Sequence, residues 1–163
     1  MSTFLAKNYC ISQGVGKSVN HLPSFDRALL DAGVGNYNLV RLSSILPASC
    51  VRMPVEELPN NLKEGSLLPT AYSTISSDII GETLVSTIGV GLPAEVTNVG
   101  VIMEYSVKGE NVTAEDALAV LESMIKEAFE VRGWELDNII TTYAMATVGT
   151  LAEYTTFACI SEW

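Results

Sequence analysis

The sequence predicts an α+β fold in one domain. Its 163 residues suit a single domain and are too few for two ordinary ones. About half of the residues are apolar (48%) and only 17% are charged, so the chain can bury a sizeable core. Roughly six or seven strand-like segments and two helical ones are grouped along the chain rather than alternating, which is typical of helices packed on layered sheets.

The first third of the chain is predicted to contain two strands and one helix. Residues 3–12 form the first strand, which ends at a glycine turn over residues 14–16. Ser24 is a plausible N-cap for a helix that Gly33 ends, because serine caps a first helical turn and glycine adopts the backbone that follows the last one. A second strand-like segment follows over residues 37–45.

The rest of the chain is predicted to contain a loop, a long helix and the other strands. Residues 52–66 carry charges, prolines and a glycine, and they are predicted to form the loop. The clearest helix covers residues 114–132, with Thr113 as its N-cap and Gly133 as its stop. The remaining predicted strands are rich in β-branched residues, and the last two are expected to pair as a closing hairpin: residues 67–76, 83–90, 99–107, 139–148 and 154–160.

The net charge argues against two classes of partner. Nine basic and 19 acidic residues give a charge of −10, and no basic cluster offsets it. Phosphate backbones and anionic membrane surfaces repel such a protein. Acidity suits a cationic small molecule, although solubility alone also accounts for it. We therefore expect neither a nucleic-acid nor a membrane partner.

Cysteine and histidine usage limits the chemistry that is available. The three cysteines are an odd number without C-x-x-C spacing, and a single histidine offers little to a triad or a metal site. The N-terminus lacks the basic and apolar regions of a secretory signal, and no apolar run reaches about 18 residues. We expect a cytoplasmic protein with reduced cysteines and no metal. A mean hydropathy of +0.29 is high for a small domain and predicts a homo-oligomer.

Residues 14–18 resemble the end of a phosphate-binding loop. That motif needs a glycine five residues before Gly16, and the residue there is Ile11. It also needs a helix immediately afterwards, which Pro23 and its neighbours disfavour. Nucleotide binding is therefore not predicted.

The sharpest signal surrounds Ser43 and Ser44. The segment over residues 36–47, NYNLVRLSSILP, resembles the self-cleavage site of the pyruvoyl-dependent arginine decarboxylases. Further blocks match that family in order, and together they span about residues 9 to 137: residues 25–36, 68–72, 81–82, 102–105 and 132–137. A serine pair alone carries no such information, because Ser76-Ser77 is another one.

The resemblance implies a fold and a maturation step. The fold is a layered α/β/β/α sandwich, as in pyruvoyl-dependent decarboxylases, and the protein is made as a zymogen. Autocatalytic cleavage between Ser43 and Ser44 would give a β chain, residues 1–43, and an α chain, residues 44–163. Ser44 would become a covalent pyruvoyl group, and Asn38 would stabilise the oxyanion of the acyl shift. An amide suits that role because its NH₂ donates hydrogen bonds; the alternative is that Asn38 only supports a strand end.

The resemblance also implies an activity. The pyruvoyl group would form a Schiff base with L-arginine, which loses CO₂ to give agmatine, a step of polyamine biosynthesis. Glu104 matches the proton donor, and its apolar strand would favour a neutral carboxyl; a glutamate facing solvent is the alternative. Asp26 matches the contact to the substrate guanidinium, although at a helix start it could simply complement the helix dipole. No metal and no pyridoxal phosphate are needed, and a trimer or hexamer is expected.

Two other functions stay open at this point. The substrate could be another amino acid, because few residues set the specificity of the pocket. The chain could also be an unprocessed homologue that serves as a non-catalytic oligomeric binding scaffold. A scaffold would stay intact, whereas the enzyme would run as two fragments on a denaturing gel.

Overall fold

A computed structural model describes residues 5–163, which form nine strands and three helices. The strands are β1 (Asn8–Ser18), β2 (Asn38–Arg41), β3 (Ile45–Leu46), β4 (Val51–Arg52), β5 (Leu67–Ser77), β6 (Thr83–Pro93), β7 (Gly100–Gly109), β8 (Leu136–Thr147) and β9 (Glu153–Glu162). The helices are α1 (His21–Asp31), α2 (Leu58–Asn61) and α3 (Ala114–Arg132), and a 3₁₀ turn covers Val55–Glu57.

The strands form two sheets that stack face to face. The first sheet has the order β2-β5-β9-β1-β4 and the second has the order β3-β7-β6-β8. Apolar residues from both sheets meet between them, among them Ile160 of the first and Ile102 of the second. On the outer faces, Ala28 of α1 packs with Phe157, and Leu121 of α3 packs with Val101. The α/β/β/α sandwich is therefore confirmed.

The first strand is longer than the sequence predicted. β1 continues through Gly14 and Gly16 to Ser18, and the part of the prediction at residues 3–4 lies outside the described residues. The glycines do not make a turn; they let α1 lie close to the sheet. A Cβ atom on Gly14 would lie 2.2 Å from the Ala28 carbonyl oxygen, and one on Gly16 would lie 1.8 Å from that of Ser24. Residues 14–18 are thus a strand and not a phosphate-binding loop.

The start of α1 was also predicted wrongly. The helix begins at His21 and its N-cap is Asn20, so Ser24 lies inside it, buried, with its hydroxyl donating to the His21 carbonyl at 2.9 Å. Pro23 is compatible with this start because the first turn of a helix does not use its N–H groups. Asp26 consequently lies beyond the first turn of the helix. A role in complementing the helix dipole would require it to lie within that first turn.

The C-terminal strands exist as predicted, but they do not form a hairpin. β8 pairs with β6 at the edge of the second sheet, while β9 lies between β5 and β1 in the first. Residues 155–162 of β9 are all buried, so this strand is central and needs a partner on each side. β8 has a half-exposed pattern, which suits an edge strand.

The predicted strand over residues 37–45 is wrong, because it is divided into β2 and β3 in different sheets, while the other predicted elements agree with the structure apart from short additions. Thr113 caps α3 by accepting the Asp116 N–H at 3.1 Å, and Gly133 follows the helix with a φ of 65°. The predicted loop over residues 52–66 contains the end of β4, the 3₁₀ turn and α2.

Cys10, Cys50 and Cys159 are all free. No helix within residues 5–163 is long and apolar enough to cross a membrane.

Candidate active site

Ser43 and Ser44 lie where the chain passes from one sheet to the other. β2 is an edge strand of the first sheet and β3 is an edge strand of the second, and only residues 42–44 connect them. The Leu42 N–H donates to the Thr70 carbonyl of the first sheet at 3.1 Å. The Ile102 N–H of the second sheet donates to the Ser44 carbonyl at 2.8 Å. The segment that was predicted as one strand is therefore interrupted at the serine pair.

This crossing forces an unusual backbone at Ser44. Its φ is +146°, a value that residues with a side chain rarely adopt, and such conformations cost about 1–3 kcal/mol. Ser77, the second residue of the other serine pair, lies in the regular strand β5 and pairs with Tyr154 of β9. Backbone strain thus distinguishes Ser44 from Ser77, as a site of acyl transfer would require.

Glu104 lies two residues beyond Ile102, the β7 residue whose N–H donates to the Ser44 carbonyl. Because alternate residues of a strand share a face, the side chains of Glu104 and Ile102 lie on the same face of β7. The Glu104 side chain is 30% exposed and its Oε1 accepts a hydrogen bond from Arg41 Nη2 at 2.5 Å. The carboxyl is thus neither deeply buried nor free: it is partly exposed and paired with a cation.

Arg41 is a member of the site that the sequence analysis did not single out. It ends β2, and its Nη2 also donates to the Tyr72 carbonyl at 3.1 Å. The guanidinium carbon lies 4.5 Å from the centre of the Tyr72 ring, close enough for a cation–π contact. The hydrogen bond to Glu104 raises the pKa of Arg41. The available signal was a cation two residues before Ser43, between the apolar residues Val40 and Leu42.

Asn38 is not in hydrogen-bond contact with the serine pair. It begins β2, at the opposite end of the strand from Arg41. Its side-chain amide donates to the Gly65 carbonyl at 2.7 Å, and its backbone N–H donates to the Ser66 carbonyl at 2.9 Å. In this arrangement the residue supports the start of β2, and its role as an oxyanion donor stays a prediction.

Asp26 lies in a different layer from the serine pair. Its side chain is exposed on α1, which packs against β1 and β9 rather than against the edge that contains Ser44. Across residues 5–163 it makes no salt bridge and accepts no side-chain hydrogen bond. Within one chain, Arg41 therefore contacts Glu104 and Ser44 is held by Ile102 of the same strand β7, whereas Asp26 contacts none of these residues.

The described residues contain no group of three or more His, Cys, Asp or Glu side chains that could hold a metal ion. Position 44 nevertheless suits a covalent group that is made from the chain itself. The Ser44 carbonyl is held by Ile102, and the next two residues pair with β7, so position 44 would stay anchored if the chain were cut before it.

The family model and the relatives found by comparison with known proteins point to the same family. The family described as "Pyruvoyl-dependent arginine decarboxylase (PvlArgDC)" matches residues 8–160. A protein of that name from Methanocaldococcus jannaschii is 41% identical over 155 residues, covering 94% of this chain and 88% of its own. Another from Methanococcus aeolicus is 41% identical over 150 residues, covering 92% and 86%. A third, from Pyrococcus abyssi, is 44% identical over 127 residues, covering 78% and 77%. The chain belongs to the pyruvoyl-dependent arginine decarboxylase family.

Proposed function

We propose that this chain cleaves itself between Ser43 and Ser44 and then decarboxylates L-arginine to agmatine and CO₂. The observation that carries the proposal is the strained backbone of Ser44 at the crossing between the two sheets, where its carbonyl is held by β7, the strand that contains Glu104. Family membership supports the reaction, and the names of the relatives support the substrate.

The cleavage would proceed as an acyl shift followed by an elimination. The Ser44 hydroxyl attacks the Ser43 carbonyl carbon, the C–N bond breaks, and an ester replaces the amide. Loss of the Ser44 α-proton then breaks the ester C–O bond, so residue 43 ends as a carboxylate and residue 44 becomes dehydroalanine. Tautomerisation and the addition of one water release one ammonia and leave a ketone. Relief of the backbone strain at Ser44 would favour the first step.

Asn38 is proposed to stabilise the oxyanion that forms on Ser43 during the acyl shift. The role requires its amide to leave the Gly65 carbonyl, which it meets at 2.7 Å, and to turn toward the serine pair. Oxyanion donors of this kind contribute about 3–4 kcal/mol to a transition state. A chain with an aliphatic residue at position 38 should therefore cleave much more slowly.

The pyruvoyl ketone would supply an electrophilic carbon for the α-amine of arginine and an electron sink for the departing CO₂. Glu104 is proposed to hold the proton that is returned to the α-carbon, because it is two residues along β7 from Ile102, whose backbone N–H holds the Ser44 carbonyl at the edge of that strand. Asp26 is proposed to pair with the substrate guanidinium in a bidentate contact. Since Asp26 lies in another layer of the same chain, that contact is proposed to come from a neighbouring subunit of a homotrimer or hexamer.

The net charge of −10 suits a cationic substrate such as arginine. The three free thiols suit a reducing compartment, and the cytoplasm is the proposed location.

The intact mass of the purified protein tests the proposal. We expect two fragments, residues 1–43 and 44–163, the larger one lighter by one ammonia than a chain that begins with free serine. Ser44→Ala should remain a single chain, whereas Ser77→Ala, the matched change in the other serine pair, should cleave normally. Agmatine and CO₂ should appear only with cleaved protein and arginine.

Other outcomes would identify the alternatives. A wild-type chain that stays intact after purification and heating would contradict the proposal and favour the binding scaffold. Cleavage at Ser44 without agmatine formation, but with release of CO₂ from another amino acid, would favour a different substrate.

A further inference from the structure

Arg41 and Glu104 would belong to different fragments after cleavage at Ser44. Arg41 lies two residues before Ser43, in the fragment over residues 1–43, and Glu104 lies in the fragment over residues 44–163. Their ion pair, with 2.5 Å between Nη2 and Oε1, therefore bridges the cut. Resting on the proposed function, we infer that Arg41 is a positioning residue, through which the small fragment holds the Glu104 carboxyl at the catalytic centre.

The contacts of Arg41 fix the position of its guanidinium. Beyond Thr70, β5 has no β2 residue beside it, and the Tyr72 carbonyl is left free for a donor. Arg41 fills that place: its Nη2 donates to this carbonyl at 3.1 Å, while the guanidinium stacks on the Tyr72 ring. The cation is thus fastened to the edge of the first sheet and presents a hydrogen bond to the second.

Glu104 depends on this contact for its orientation. It is partly exposed, and Arg41 is its only ion-pair partner within residues 5–163. A glutamate has three rotatable side-chain bonds, so without a partner it samples several rotamers. A misplacement of about 1 Å in a catalytic group can lower turnover a hundredfold. Arg41 would therefore act on the rate of the chemical step rather than on substrate affinity.

Cleavage would also create a new carboxylate in the same fragment as Arg41. The new carboxylate of residue 43 would be two residues from Arg41, and the Leu42 N–H holds this end to Thr70. Arginine has five N–H donors in a planar fork, so it can serve the Tyr72 carbonyl, Glu104 and a further carboxylate together. A lysine keeps the charge but cannot reproduce that fork.

A double-mutant cycle on cleaved protein tests the inference. Turnover is expressed per cleaved chain, measured by intact mass, for Arg41→Gln, Arg41→Lys, Glu104→Gln and the double variant Arg41→Gln/Glu104→Gln. Arg41→Gln should lower kcat about ten- to a hundredfold with little change in KM. In the Glu104→Gln background the same substitution should change kcat by less than about twofold, because Arg41 acts through Glu104.

The controls separate this role from a general effect of charge. Lys126→Gln removes one positive charge from the exposed face of α3 and should leave kcat unchanged. Arg41→Lys should retain more activity than Arg41→Gln. Additive losses in the cycle, equal losses in the glutamine and lysine variants, or failure of both to cleave would overturn the inference. A wild-type protein that does not cleave or does not decarboxylate arginine would instead refute the proposed function.

Discussion

Ser44 differs from the other serines in its backbone and not in its chemistry. Ser44 and Ser49 are the two non-glycine residues with positive φ in residues 5–163, and they flank β3. Only Ser44 also has its carbonyl held by the second sheet while the preceding residues are held by the first. The local bend therefore sets Ser44 apart from the other serines, and hydrogen bonds to a sheet on each side hold that bend in place.

Glu104→Gln tests the proposed proton donor at the residue scale. Glutamine has nearly the same shape and can still accept a hydrogen bond from Arg41, but it cannot return a proton to carbon. We expect normal self-cleavage and a loss in kcat on the order of a hundredfold or more. Glu110→Gln, an exposed position just beyond the end of the same strand, is the matched control. Near-normal turnover of cleaved Glu104→Gln protein would end this assignment.

At the scale of elements, the packing of α1 on β1 depends on two glycines. Gly16→Ala would place a methyl group 1.8 Å from the Ser24 carbonyl oxygen, a backbone atom that cannot rotate away. Overpacking of this kind costs about 1–3 kcal/mol or more, so the melting temperature should fall by several degrees. Gly149→Ala has no atom within 4 Å and no positive φ, and it should leave the melting temperature unchanged. Equal melting curves for the two variants would contradict the close contact.

The elements also show what the sequence could predict. α3 was predicted at its observed bounds because Thr113 and Gly133 act locally, within one turn of the helix. The hairpin was predicted wrongly because β8 and β9 are separated by five residues but lie in different sheets, and strand pattern alone does not specify a partner. Ser44, Glu104 and the cleavage site came from family resemblance. Arg41 was missed because its role depends on an ion pair across 63 residues of sequence.

At the scale of the whole molecule, stability should depend on the protonation of Glu162. This carboxyl is 5% exposed near the end of β9, its Oε1 has no hydrogen-bond partner in the described chain, and burial raises its pKa to about 7. Because the pKa is raised in the folded state, the buried carboxyl favours folding when it is protonated. Its contribution to the free energy of unfolding is complete below the unfolded pKa of about 4.3 and is lost as the pH rises through about 7. The protein should therefore become less stable between these two values.

Glu162→Gln should remove that dependence. The neutral amide has no charge to desolvate, so the difference in unfolding free energy between variant and wild type should grow in favour of the variant by about 3 kcal/mol from pH 4.5 to pH 8. Urea unfolding at both pH values measures it. Glu135→Gln, which is exposed before β8, is the control. Parallel pH profiles for wild type and Glu162→Gln would show that the carboxyl stays charged when folded.

Asp26→Asn tests substrate recognition beyond a single chain. Leaving the substrate guanidinium without its partner typically costs about 2–5 kcal/mol, so kcat/KM for arginine should fall at least about tenfold. Self-cleavage should be unaffected, because Asp26 makes no contact with the serine pair. Citrulline has the same chain length without the cation, and the wild-type preference for arginine over citrulline should narrow in the variant. An unchanged ratio would mean that another group recognises the guanidinium.

Mixed oligomers test whether Asp26 acts across a subunit boundary. Ser44→Ala chains should be inactive and Asp26→Asn chains weakly active, but co-expression should create sites in which one chain supplies Ser44 and its neighbour supplies Asp26. Random mixing would restore about a quarter of the wild-type activity. Ser44→Ala mixed with Glu104→Gln is the matched control: these two residues lie at the same strand edge of one chain, so no site regains both. No restoration with Asp26→Asn would place the guanidinium contact within a single chain. Restoration in the control would contradict the proposal that Ser44 and Glu104 of one chain act in the same site.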